Sequence, residues 1–189
     1  MSETDQLSDY EIRARIVRRA FDGDEGRWNA FVEAVREATP PDVTVVLRGS
    51  AVTGTRWADG APFDAEGHGT SDLDLTFVGG DMLRLWEKFY VPGIHSVPLS
   101  DEHPDAPPTY VPQRRALGAL AGRPVNIQAT SDWVQYGRDV LFDQPYYTIL
   151  DKDARAHELP RWERELEAKR RAARDVPPPG IPPGHPDAP

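Results

Sequence analysis

A chain of 189 residues suits one domain with a sizeable core, and its 39% hydrophobic and 28% charged content are those of a soluble globular protein. The net charge of −9 argues against a nucleic-acid duplex as the main partner, because affinity for phosphate backbones comes from basic surface. The lack of cysteine rules out disulfides and thiol chemistry, while a polar N-terminus and the lack of any apolar run near the roughly 18 residues of a membrane span lead us to expect a cytoplasmic protein.

Residues 1–7 are expected to fray. Ser8-Asp9-Tyr10-Glu11 reads as a capping box, followed by an apolar stripe of Ile12, Ile16, Val17 and Ala20. Arg13, Arg15, Arg18 and Arg19 cover the other sides and read as a solvated face rather than as phosphate contacts. Gly23-Asp24 ends this helix, and Trp28, Phe31, Val32 and Val35 have the spacing of a second one, stopped by Thr39-Pro40-Pro41. Residues 1–40 are therefore expected to form a helical layer on a core spanning 41–150.

Val43, Val45, Val46 and Leu47 form a β-prone run that breaks at Gly49-Ser50. A glycine there lets backbone N–H groups approach a phosphate, and the serine hydroxyl can donate to one. The stretch Arg56–Gly69, rich in Gly, Asp and Ala with Trp57 and Phe63, reads as a surface loop that covers a ligand, selects a second substrate, or is inert. Ser71-Asp72-Leu73-Asp74-Leu75 then alternates as a strand, with both carboxylates on one face and both leucines in the core. Adjacent carboxylates repel unless a cation or water separates them, and hard oxygen ligands suit Mg²⁺.

Beyond that strand, Gly79-Gly80 turns the chain, and Asp81 is expected to cap a helix burying Met82, Leu85, Trp86 and Phe89. Pro92–Pro108 reads as a long exposed loop, in which Asp101, Glu102, His103 and Asp105 are solvated acids and a histidine rather than a metal site. Val111–Gly122 is expected to be a helix whose Arg114 and Arg115 could reach a triphosphate. Pro124–Ala129 alternates like the Asp strand, with Val125 and Ile127 inward and Asn126 and Gln128 on the other face. Ser131 or Asp132 should cap a helix burying Trp133, Tyr136, Val140 and Leu141, and Tyr146–Leu150 should add a strand at the sheet edge. Asp151-Lys152-Asp153 is a turn, and a charged helix within 151–175, from Arg161 to Arg174, stands alone or packs on a partner. Residues 176–189 read as a Pro-rich disordered or polyproline-type tail.

Gly49-Ser50-x-x-x-Gly54 followed by Ser71-Asp72-Leu73-Asp74-Leu75 resembles the nucleotidyltransferase superfamily of the DNA-polymerase-beta type, in the form of its small bacterial members. The resemblance covers residues 42–80, with weaker support to 150. It implies an α/β (α+β) fold: a small mixed sheet of roughly four or five strands with flanking helices, presenting the Asp pair and the Asn126 strand at one open edge. It further implies that Gly49 and Ser50 hold the phosphates of an NTP such as ATP, and that Asp72 and Asp74 are the catalytic ligands of Mg²⁺ or Mn²⁺. The implied reaction moves a nucleoside monophosphate to the hydroxyl of an unknown acceptor, a small molecule or a protein, with pyrophosphate released.

Two departures stand out. Ser50 and Asp72 are separated by 21 residues, more than the family usually has. The third carboxylate that the family commonly carries on a neighbouring strand is replaced by Asn126, which ligates weakly and cannot take a proton. Either metal alone activates the acceptor, or Asp64 or Glu66 of the inserted loop substitutes, or the protein binds nucleotide without turning it over. The last account makes the chain an inactive nucleotide-binding or partner-binding module, such as the regulatory half of a two-protein system. The enzyme reading stands ahead of it, because a dead descendant has little reason to keep two adjacent strand aspartates. Metal-dependent phosphoester hydrolysis ranks third, since no histidine has ligand spacing.

Overall fold

The computed structural model describes residues 7–140 and 144–155; the expected charged helix and Pro-rich tail lie outside them. In chain order the elements are α1 (Asp9–Ala20), α2 (Glu25–Ala38), β1 (Thr44–Arg48), α3 (Ser50–Thr53), β2 (Leu73–Val78), α4 (Gly80–Leu83), β3 (Phe89–Val91), β4 (His95–Ser96), α5 (Val111–Ala121), β5 (Val125–Thr130), α6 (Asp132–Val140), β6 (Tyr147–Leu150) and α7 (Lys152–Arg155). The strands form one six-stranded sheet in the order β3-β4-β5-β2-β1-β6. Only β2 and β5 run parallel; the other named pairs are antiparallel, so the sheet is mixed.

Helix α1 starts as its sequence dictates. Ser8 Oγ accepts from the Glu11 N–H and the Glu11 carboxylate accepts from the Ser8 N–H, so two of the N–H donors at the helix start are satisfied. Asp24 caps α2 through the Arg27 N–H, and Thr39 ends it just before the prolines. Their apolar faces meet the sheet. Ile16, Phe21, Phe31 and Val35 are fully buried, and Phe21, Trp28 and Phe31 form an aromatic cluster with centroids 5.2–6.2 Å apart. Each such side chain contributes about 1.5–3 kcal/mol on burial.

Register explains the two faces of the sheet. Leu47 lies across from Leu75 and Val45 from Phe77, while Leu75 aligns with Ile127 and Phe77 with Ala129. All six are fully buried on the helix-covered side. One residue out of phase, Val46, Arg48, Asp74, Thr76, Asn126 and Gln128 point to the opposite side. Helix α6 reaches that second face through Gln135 and Arg138.

Several expectations are corrected. The Asp and Asn strands occupy the centre of the sheet, not an open edge; the edges are β3 and β6, the latter as expected. The helix expected from Asp81 is one turn, with Leu85 39% exposed and Phe89 starting a strand. The helical spacing there is overridden because β3 and β4 form a hairpin around Pro92-Gly93 that extends the sheet beyond β5. The stretch 92–108 is thus no plain loop: it contains β4, and Leu99 bridges to Ile127. Among the described residues, no helix is long and apolar enough to cross a membrane.

Candidate functional site

β1 ends where β2 and β5 begin, so one end of the central sheet gathers Gly49, Asp72, Asp74 and Asn126. Gly49 leaves β1 at φ 74° and ψ −160°, a conformation open to glycine. A β-carbon at this position would lie 2.5 Å from Asp74 Oδ2. Glycine is therefore required twice, by its backbone angle and by a carboxylate seated against its Cα. Ser50 follows, buried, as the first residue of the one-turn α3, and Gly54 closes that turn at φ 90°. The Arg19 guanidinium lies where a Gly54 side chain would go, which ties α1 to this turn.

Asp74 pairs with Arg48 across β1 and with Asn126 across β5. Asn126 Nδ2 donates to Asp72 Oδ2 and, at 3.1 Å, to Asp74 Oδ1. Two carboxylates thus share one amide. Burial pushes the Asp74 carboxyl up to about 6, and the charge of Asp72 adds to that; the Asn126 hydrogen bond and the Arg48 charge pull the other way. At neutral pH the pair carries unfavourable negative charge that a cation would relieve.

Neither loop acid supplies the missing carboxylate. Asp64 is bound by Arg123 at 3.0 Å and by the N–H groups of Gly69 and Ser71, and these contacts outweigh burial to hold its carboxyl down at about 2. Glu66 pairs with Arg56 at the surface, 2.8 Å away. Arg114, expected near a triphosphate, instead donates to the Val125 carbonyl at 2.6 Å and to Asp101. Arg114 is thus engaged by protein groups, and Arg115 is exposed.

No family model matches the chain, and no curated protein or solved structure matches it either. The donor set must therefore be judged on its own chemistry. Asp72 and Asp74 present hard carboxylate oxygens from neighbouring positions on one face, which fits Mg²⁺ or Mn²⁺. Among the described residues no group of three or more His, Cys, Asp or Glu side chains converges, so the remaining ligands would be water and substrate oxygens, the usual habit of Mg²⁺. Asn126 could join through its carbonyl oxygen only after its amide rotates, because its donor end now faces the carboxylates.

Two arginines that the sequence reading did not single out lie on this face, Arg48 across from Asp74 and Arg138 against Gln128. Arg48, 8% exposed, donates to Gln135 at 2.8 Å and stacks on Tyr146 with 5.7 Å between guanidinium carbon and ring centroid. Arg138 donates to Gln128 and approaches His95 Nε2 at 2.6 Å. Burial, followed by the charges of Arg138 and Arg48, lowers the His95 pKa to about 4, so its ring is neutral at physiological pH. The available signal for Arg48 was its place in the alternation, on the same face as Val46 and opposite Leu47. Further along this face a cavity of about 260 Å³ is lined by Thr44, Val46, Val78, Gln135, Tyr146 and Thr148, among others.

Proposed function

We propose that the chain is a metal-dependent nucleotidyltransferase of the DNA-polymerase-beta type, transferring a nucleoside monophosphate from an NTP to a hydroxyl acceptor. The observation that carries this reading is the seating of the Asp74 carboxylate against the Cα of Gly49, with Asp72 beside it. A turn built for close backbone approach and a pair of metal-suited carboxylates then meet at one point. The buried Arg48 and the half-buried Arg138 on the same face support it, since a triphosphate brings more negative charge than a divalent ion neutralises.

In this reading Gly49 and Ser50 receive the outer phosphates and Asp72 and Asp74 hold Mg²⁺ or Mn²⁺. The bound ion supplies neutralisation of the charge that develops on the phosphates. Arg48 stands across from Asp74 and lowers the negative potential around the transferring group. The acceptor oxygen bonds to the α-phosphorus while the bond from that phosphorus to the bridging oxygen breaks, and pyrophosphate departs. Asn126 cannot take the acceptor's proton, so that proton passes to water.

Asn126 also favours a second reading, a nucleotide-binding or partner-binding module without turnover, because its amide bridges both carboxylates where the family commonly has a third acid. Pyrophosphate release separates the two. Wild type is incubated with each NTP, Mg²⁺ and pools of hydroxylated small molecules and proteins. Release that is lost with Asp74→Asn supports the enzyme; an NTP that binds in the Asp72–Asp74 site but yields no pyrophosphate with any pool supports the module.

A further inference from the structure

We propose that the inserted segment between Gly54 and Asp72 is a positioning element for Asp72, acting through the ion pair of Asp64 with the buried Arg123. The inference rests on the reading of Asp72 and Asp74 as a metal-binding pair.

Asp72 precedes the first ladder residue of β2, Leu73, so the paired strands fix its backbone on one side only. On the other side stands Ser71, and every polar group of Ser71 is engaged. Its N–H donates to Asp64 Oδ1 at 2.9 Å, its carbonyl accepts from Arg123 at 3.0 Å, and its hydroxyl accepts from the Asp64 N–H at 2.7 Å. Asp64 and Arg123 also bind each other twice, at 3.0 and 3.1 Å, with side chains 15% and 1% exposed. Arg123 stacks on Phe63 and donates to the carbonyls of Arg19 and Ala20, which anchors the arrangement to the end of α1.

The backbone angles point the same way. Asp22 and Asp64 are the non-glycine residues with positive φ among those described, each at 58°. Both hold this loop: Asp64 through Arg123, and Asp22 through His68 at 2.7 Å. Unfavourable backbone conformations persist where surrounding contacts over-determine them. The segment is fastened at these points. It brings Asp64 back to Ser71 and holds Asp72 close to a second carboxylate that repels it.

Mn²⁺ binding to the full chain tests this, read from the electron paramagnetic resonance signal of free Mn²⁺. Asp64→Asn removes the charge and keeps a residue that tolerates the left-handed conformation. Its Mn²⁺ affinity is expected to fall about tenfold, the usual size of an effect exerted through a supporting shell. Tyr110→Phe, which removes a hydroxyl bond to the Ala38 carbonyl, controls for general destabilisation and should leave Mn²⁺ affinity unchanged. A folded Asp64→Asn protein with wild-type affinity overturns the positioning role. If Asp64→Asn does not fold, Ser71→Ala carries the test: a loss of affinity supports the role, and unchanged affinity overturns it. A wild type that takes up no Mn²⁺, or Asp74→Asn binding it as tightly as wild type, overturns the metal-pair reading and the proposal with it.

Discussion

Asn126 donates its side-chain amide to both Asp72 and Asp74, so the group bridging the two carboxylates is a neutral amide. Replacing it by Asp would put a third carboxylate beside a pair that already repels. Asn126→Asp is expected to lower the metal-free stability by about 1–3 kcal/mol and to raise Mg²⁺ affinity by about tenfold. Chemical denaturation with and without Mg²⁺ checks both halves. A variant no more responsive to Mg²⁺ than wild type would remove position 126 from the site.

Gly49→Ala should disable the site through geometry alone. The new methyl would meet Asp74 Oδ2 at 2.5 Å, at a backbone angle that side chains rarely adopt. The expected loss is about 1–3 kcal/mol of stability, together with metal and nucleotide binding. Retained Mg²⁺-NTP binding in the Ala variant would mean that Asp74 need not lie against this turn.

Asp74→Asn should separate stability from function. Burial and the charge of Asp72 push the folded carboxyl up to about 6 from an ordinary 3.8. The folded state therefore binds the proton more tightly, and the stability linked to that proton is lost as pH rises through about 6. Removing the charge should stabilise the metal-free protein at pH 8 by about 1–2 kcal/mol while abolishing metal binding. Equal or lower stability of the variant at pH 8 would contradict the burial and repulsion assigned to this group.

Two groups oppose that trend in acid. Burial lowers His95 to about 4 in the folded protein from an ordinary 6.5, so the unfolded chain takes up a proton first and stability falls as pH drops from 6.5 toward 4. Asp64, held at about 2 against 3.8, loses its contribution as pH falls through that lower window; fully present it amounts to about 2 kcal/mol. Between pH 4 and 6 the Asp74 slope opposes that of His95. Asp74→Asn should therefore lose stability more steeply than wild type over that range, and His95→Gln less steeply. Parallel pH profiles of the three proteins would refute this assignment.

How much of this was legible in the sequence follows from the range of each interaction. The shared face of Asp72 and Asp74 follows from a spacing of two on a strand, and the side of the sheet taken by Asn126 from the alternation of its own run; the parallel register that sets Asn126 beside Asp74 is tertiary. The capping box of α1 is likewise local. Arg123 and Asp64 lie 59 positions apart, and Arg48 and Gln135 lie 87 apart, so no local pattern encodes either contact. The stretch after β2 misleads for another reason: Met82, Leu85, Trp86 and Phe89 have helical spacing, yet only Met82 and Trp86 are fully placed in the core, and Phe89 is drawn into the β3–β4 hairpin. Tertiary pairing there outweighs local periodicity.

The most direct measurement is thermal unfolding of wild type and Asp74→Asn with each of the four NTPs, with and without Mg²⁺. A ligand that binds only the native state stabilises it by about 2.7 kcal/mol at a hundredfold excess over Kd. The account predicts a Mg²⁺-dependent rise in Tm with at least one NTP for wild type and none for Asp74→Asn. No rise with any NTP, or an equal rise in the variant, would contradict it.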